Sequence, residues 1–168
     1  MDNNNWGYQN SYFRYIPYNE LFDEKECDLR VYAGSNQITV KDNGPQPYVI
    51  NIDEATKQNN NFRIALWTGN HLQVTLMSIN VGDDIGLEIH PNTDQFIRIE
   101  DGEGSVRMGR SKDNLDFQVN ARDGFAIMIP AGTWHNIINT GNKPLKVYSI
   151  YAPPHHPHGV VQVTKPAE

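Results

Sequence analysis

From residue 47 onward the chain is a succession of short segments rich in β-branched and aromatic residues, separated by Gly, Pro, Asn and Asp. Each segment has the length of a β-strand. The predicted strands cover residues 48–52, 62–68, 72–79, 96–100, 105–108, 115–119, 125–129 and 145–151. One short helix is predicted over residues 54–58, with Asp53 as its N-cap. Many short strands and almost no helix favour an all-β sandwich or closed barrel.

The 168 residues have the length of one domain, flanked by two segments of different composition. Residues 1–45 are predicted to form an N-terminal arm whose aromatic side chains pack on the domain or on a second subunit. Residues 46–152 form the predicted barrel, and residues 153–168 form a Pro/His-rich C-terminal tail. Because prolines hold a backbone extended and turn neighbouring rings to different sides, the tail is predicted to lie on the surface without forming a second metal site.

Charge and composition indicate which kinds of molecule the chain is expected to bind. The net charge is -6 and Lys and Arg form no cluster, so nucleic acid is not an expected partner, and neither is a membrane. No apolar run approaches the length of a membrane span. Cys27 is the only cysteine and the N-terminus lacks a secretory pattern, which together predict a cytoplasmic protein without a disulfide. We expect a small-molecule substrate, and a homodimer in which the aromatic arm is covered.

Four polar residues are candidates for the chemistry. Glu88 and His90 are two positions apart, so in a strand both side chains point to one face. A turn follows and Gln95 opens the next strand, so the hairpin can bring its amide oxygen beside the first pair. His135 follows a turn rich in Pro and Gly, and spacing alone does not bring it to the other three.

These four positions occur within two sequence motifs. The residues Gly82, Glu88, His90, Gln95 and Gly102 resemble the first motif of the cupin family, G-x5-H-x-H-x3,4-E-x6-G, with Glu for the first His and Gln for the Glu. The residues Gly124, Pro130, Gly132, His135 and Asn139 match the second motif, G-x5-P-x-G-x2-H-x3-N. The resemblance implies a double-stranded β-helix, or jelly-roll barrel, with a divalent metal ion on Glu88, His90, Gln95 and His135. Both substitutions keep an oxygen donor, and the mixed N and O donors suit Zn, Fe, Mn or Ni.

Alternation along the strands constrains the surroundings of this site. If Gln95 faces inward, Ile97 does too, whereas Arg98 and Glu100 face outward. Alternation places no Arg or Lys at the barrel mouth, and no phosphate clamp is predicted. Which face Gln73 and its neighbours on that strand present to the interior is left open.

The reaction is suggested by a finer resemblance. Residues 84–100 and 129–139 resemble the small bacterial cupins labelled mannose-6-phosphate isomerase-like. That resemblance implies a metal-dependent, isomerase-like enzyme, and the missing phosphate clamp favours a neutral or acidic polyol or keto compound. The alternatives are an Fe- or Mn-dependent dioxygenase and a non-enzymatic cupin that binds a small ligand or has a structural role. No catalytic residue is predicted beyond the metal ligands.

Overall fold

The computed structural model describes residues 37–167, which form two antiparallel sheets around one interior. The six-stranded sheet has the order β6-β3-β8-β2-β1-β9, and the three-stranded sheet has the order β5-β4-β7. The strands are β1 (Arg63–Thr68), β2 (Gln73–Ile79), β3 (Asp94–Asp101), β4 (Glu103–Gly109), β5 (Phe117–Arg122), β6 (Ala126–Ile129), β7 (Trp134–Asn139), β8 (Leu145–Ala152) and β9 (Val161–Gln162). The predicted all-β, double-stranded β-helix is confirmed.

The start of the described segment differs from the prediction. Residues 48–52 do not form a strand, and Val49 is 97% exposed with no neighbouring strand to cover it. Helix α1 spans Ile52–Gln58 and is capped by Asn51, not Asp53, because the Asn51 side chain accepts a hydrogen bond from the Glu54 amide at 3.3 Å. No helix within residues 37–167 has the length and apolarity to cross a membrane.

The interior of the barrel is filled from both sheets by alternate side chains. Ile97 of β3 is fully buried, as predicted, and it packs with Met77 of β2 and with Val106 and Ile137 of the smaller sheet. On the same alternation Gln73 and Thr75 of β2 also face inward and are fully buried. These two positions, whose face the sequence left open, therefore belong to the barrel interior.

The outer face of the larger sheet is covered by α1. Ala55 of the helix packs with Ile64 and Leu66 of β1 and Leu76 of β2. The larger sheet is therefore buried on both faces here, which is why β1 and β2 are apolar at consecutive positions. Glu100 does face outward, where it lies 3.3 Å from the Nε of Arg98, but it is only 4% exposed because α1 packs on this part of β3.

The N-terminal boundary of the barrel lies before residue 45. Ile38 and Val40, predicted within the arm, pack against the apolar cluster under α1, and the Asn43 amide donates to the Leu66 carbonyl at 3.0 Å. Residues 37–45 are thus part of the compact unit that begins at Gln37. The remainder of the predicted arm, and with it Cys27, lies outside the described residues.

The C-terminal segment returns along the barrel. Most side chains of residues 153–167 are exposed, as expected of a surface segment, but the backbone is bonded to β1. Strand β9 pairs antiparallel with β1, and the Ala65 amide donates to the Val160 carbonyl at 2.9 Å. The segment consequently supplies β9, the edge strand of the six-stranded sheet, and the residues that lead to it.

Candidate metal centre

The first two candidate donors lie on the segment before β3. The sequence predicts Glu88 and His90 on a strand, but this segment belongs to neither sheet. It is held to β7 by two isolated bridges, one between Asp84 and Ile138 and one between Glu88 and His135. In the second bridge the backbone amides of Glu88 and His135 each donate to the other's carbonyl at 3.0 Å. The Gly132 amide also donates to the His90 carbonyl at 2.8 Å. These contacts fix both side chains against β7 and its preceding turn, so the predicted common orientation arises without a regular strand.

Gln95 comes from the start of β3. It pairs with Tyr151 of β8, and its inward side chain is 3% exposed. The neighbouring Asp94 accepts a hydrogen bond through Oδ1 from the Ala131 amide at 2.8 Å. That bond joins the start of β3 to the turn before His135, which explains how the two motifs are held together.

The candidate donor atoms of three residues lie close together. The Nε2 atoms of His90 and His135 are 3.4 Å and 3.5 Å from Oε1 of Glu88. The ligand atoms of all three lie within 4.8 Å of one another. Two ligands that are each about 2.1 Å from one ion are separated by about 3–3.5 Å at tetrahedral or octahedral angles. The observed spacing therefore fits ligands of a shared cation.

The same atoms lack hydrogen-bond partners. Oε1 of Glu88, Nε2 of His90, Oε1 of Gln95 and Nε2 of His135 are buried with no partner within residues 37–167. Buried polar atoms in native proteins are seldom left unpaired, because each unpaired atom costs about 1–3 kcal/mol. Nδ1 of His135 lies 2.9 Å from the Thr133 carbonyl, which can only accept, so Nδ1 carries the proton and Nε2 presents a lone pair. All four positions implied by the motif are thus available to a cation.

The charge state of Glu88 suits the same role. Burial alone would raise its pKa, but the neighbouring rings of His135 and His90 and the charge of Arg63 lower the pKa far below its usual range. Glu88 is therefore a carboxylate at neutral pH. With 22% of its side chain exposed, it is also the most open member of the cluster.

Comparisons with known proteins agree with this geometry. The cupin domain family, Cupin_2, matches residues 75–151. The Bacillus subtilis protein YrkC is 65% identical over 139 residues, which are 83% of this chain and 75% of YrkC. The chain belongs to the cupin superfamily. The protein L612 of Acanthamoeba polyphaga mimivirus shares 44% identity with this cupin over 125 residues, which are 74% of this chain and 76% of L612. The crystal structure of BH2720 from Bacillus halodurans is 67% identical with a TM-score of 0.74, covering 75% of this chain and 96% of BH2720.

Sequence reasoning missed one cation in this cupin's interior. Arg63 of β1 faces inward with 7% of its side chain exposed, and its Nη2 lies 4.0 Å from Oε2 of Glu88. The expectation that no Arg or Lys approaches the site is therefore wrong. Arg63 has the parity of buried Ala65, opposite Ile64 and Leu66 under α1, but alternation alone does not show which of these two apolar faces is the inner one.

The C-terminal segment adds two imidazoles to the site. The ring of His155 lies 4.0 Å, centroid to centroid, from the ring of His90, and His155 and His156 both lie against Tyr151. Burial lowers the pKa of both added histidines, that of His156 to about 3 with the charge of Arg63 contributing. The ring of His156 is therefore neutral at pH 7. The prolines that suggested a surface segment instead carry these rings to the barrel mouth.

Proposed function

We propose that this cupin binds one divalent metal ion on Glu88, His90, Gln95 and His135 and acts as a metal-dependent enzyme on a small sugar-like or keto compound. The observation that carries the proposal is the set of four buried, unpartnered acceptor atoms on these residues. A bound ion would supply a Lewis acid toward carbonyl and hydroxyl oxygens.

The donor set is consistent with several metals. Two imidazoles, one carboxylate and one amide oxygen suit Zn, Fe, Mn or Ni, and fewer than six protein ligands leave positions for a substrate. Because Glu88 is already ionised, a cation displaces no proton from it, which favours binding at neutral pH.

An isomerase-like reaction is favoured by the residues around the cluster. The combination of Gln, Glu and two His resembles the metal sites of cupin aldose-ketose isomerases. In addition, the hydroxyl groups of Thr75, Ser149 and Tyr151 are buried without partners within residues 37–167. Unpaired hydroxyls on inward strands are suitable partners for a substrate that carries several oxygen atoms.

A dioxygenase is the second candidate, and a specific observation favours it. The three ligands that converge most closely, Glu88, His90 and His135, are two imidazoles and one carboxylate. This is the composition of the facial triad of non-haem Fe(II) oxygenases.

Metal content tests the proposal first. Protein expressed separately with Zn, Fe, Mn or Ni and analysed by inductively coupled plasma mass spectrometry is expected to contain close to one ion per chain for its preferred metal. Glu88→Ala and His135→Ala should reduce this to background, because each removes a ligand. His71→Ala, which changes an exposed histidine in the turn between β1 and β2, is the matched control and should retain the ion. Folded wild-type protein that binds none of the four metals would refute the proposal.

The reaction is then decided with the metal in place. Exchange of the C2 proton of an aldose with solvent, followed by NMR, would support the isomerase, whereas consumption of oxygen after Fe(II) reconstitution would support the dioxygenase. An unchanged phenotype of the His90→Ala, His135→Ala double variant in the native host would instead indicate a structural or ligand-binding role.

A further inference from the structure

Arg63 is a buried cation whose hydrogen-bonding capacity is mostly unused. Its Nη1 donates to Oε1 of Gln162 at 3.0 Å. Its Nε and Nη2 are buried and have no hydrogen-bond partner within residues 37–167. The 4.0 Å separation between Nη2 and the Glu88 carboxylate is too long for a hydrogen bond. A buried guanidinium with two unpaired donors is costly, so a partner for these donors is expected.

The unpaired donors share one edge of the guanidinium. Nε and Nη2 present two parallel N–H groups, the arrangement that binds both oxygens of a carboxylate. The Gln162 side chain occupies Nη1 and so holds the planar group in place. The edge is therefore presented by a fixed plane and not by a freely rotating side chain.

Three hydroxyl groups on the inward faces of β2 and β8 suit a small oxygen-rich molecule. Thr75 and Ser149 are Cα partners on β2 and β8, and Tyr151 is the next inward residue of β8. The hydroxyls of all three are buried and unpartnered within residues 37–167. Glu88 lies between Arg63 and the two imidazoles of the metal cluster.

The balance of charge also favours an anion. The Glu88 carboxylate and the Arg63 guanidinium, which lie 4.0 Å apart, offset each other's charge. A divalent ion on the cluster would leave its own charge uncompensated in a poorly solvated interior. One carboxylate on the substrate would offset part of that charge. A phosphate dianion fits less well, because only one edge of one arginine is free to bind it and Glu88 lies close by.

We propose that the substrate is a small carboxylate with an adjacent hydroxyl or carbonyl oxygen, and that the Nε–Nη2 edge of Arg63 binds its carboxylate while the adjacent oxygen lies toward Glu88, His90, Gln95 and His135. This inference rests on the metal-dependent function proposed above and narrows its substrate class. It makes Arg63 a residue that determines specificity.

Calorimetric titration of the metal-loaded protein tests the inference. Sodium lactate is the probe, lactamide is its neutral analogue, and inorganic phosphate is the competing anion. Lactate is expected to bind at least about tenfold more tightly than lactamide, because only lactate forms a charge-assisted pair of hydrogen bonds. Arg63→Gln should weaken lactate binding about 10- to 100-fold, and Arg63→Lys should fall between it and the wild type. Arg107→Gln, which removes an exposed arginine of β4, is the matched control and should change nothing.

Three results would overturn the inference: equal affinities for lactate and lactamide, unchanged lactate binding in Arg63→Gln, or tighter binding of phosphate than of lactate. NMR of the wild-type protein provides a second test that needs no substitution. The Nε–H resonance of Arg63 in wild-type protein should shift on addition of lactate and not of lactamide, and an unmoved resonance would also contradict the inference.

Metal analysis of the same samples separates this inference from the function on which it rests. Arg63→Gln should retain the ion, since Arg63 is not a ligand, and loss of the ion together with lactate binding would assign Arg63 to the metal site instead. Wild-type protein without an ion would refute the metal centre itself. Gln162→Ala, which removes only the partner of Nη1, should lower lactate affinity less than Arg63→Gln does. An equal loss would mean that lactate binding depends on the position of the guanidinium and not on the N–H groups of Nε and Nη2.

Discussion

Replacing Gln73 with Met tests how the C-terminal segment is held at the barrel mouth. Gln73 is fully buried on β2, and its Nε2 donates to Oγ1 of Thr68 at 3.0 Å and to the His156 carbonyl at 2.9 Å. Its Oε1 accepts from the backbone amides of His156 at 2.9 Å and His155 at 3.3 Å. Met fills a similar volume but removes all four bonds, so the backbone groups of the segment lose their partners.

The magnitude follows from these bonds. Three of the four bonds reach the segment, and at about 0.5–1.5 kcal/mol each, with the longest counted at the lower limit, their loss is about 1.5–3.5 kcal/mol. This free energy opposes detachment of the segment, so native-state hydrogen exchange is the suitable assay. The Ala65 amide donates to Val160 of the segment and therefore reports its docking. Its protection should fall about 10- to 400-fold in Gln73→Met.

A matched control is available in Gln118→Met. Gln118 is exposed and donates only to the Leu115 carbonyl at 3.0 Å, so its replacement should change protection at Ala65 by less than about threefold. If Gln73→Met left the protection of Ala65 unchanged while the protein remained folded, the hydrogen bonds of Gln73 would not be what holds the segment. Metal content should be unaffected, because Gln73 is not one of the proposed ligands.

Three further predictions concern stability and assembly. Gly102→Ala should lower the free energy of unfolding in urea by about 2–3 kcal/mol, because φ is +92° and a Cβ would lie 3.1 Å from a neighbouring Cα. Gly124→Ala, with φ +84° and open space, should lose only about 1 kcal/mol, and equal losses would contradict this explanation. Burial would raise the pKa of Asp84, but the bond to Lys165 helps to lower it, so this contribution is present at neutral pH and is lost as the pH falls through the lowered pKa. The stability difference between wild type and Lys165→Met should therefore shrink below about pH 4, and a difference independent of pH would count against the pair. Deletion of residues 1–36 should convert a homodimer into a monomer by light scattering, and a truncated chain that stayed dimeric would argue against an interface formed by the arm.

Three of the four candidate donors could be anticipated from local rules, whereas His135 came only from the motif. Alternation along a strand fixes the face of Gln95 from that of Ile97, and the turn before it brings Glu88 and His90 within reach. The irregular backbone around Glu88 was not anticipated, since an isolated bridge to His135 depends on two segments that are far apart in sequence. The motif implied that Glu88 and His135 lie together, but it did not show that a backbone bridge brings them there.

Arg63 shows where alternation is insufficient. In a sheet that is covered on one face only, apolar residues mark the inner face, but β1 is buried on both faces by the barrel and by α1. Arg63 then looks like a solvent-facing residue of a strand whose other face is apolar. The position of α1 identifies Ile64 as outward and Arg63 as inward. The sequence predicts this short helix but does not indicate which strand it covers.

The position of Arg63, His155 and His156 along the chain has a consequence for tracing relatives. Residues 75–151, which match the cupin domain family, include Glu88 but none of these three side chains. On the proposals made above, metal retention and ligand preference would depend on different parts of the chain. A homologue with the same motif residues but a different amino acid at position 63 would then be expected to bind a metal ion and to select another compound.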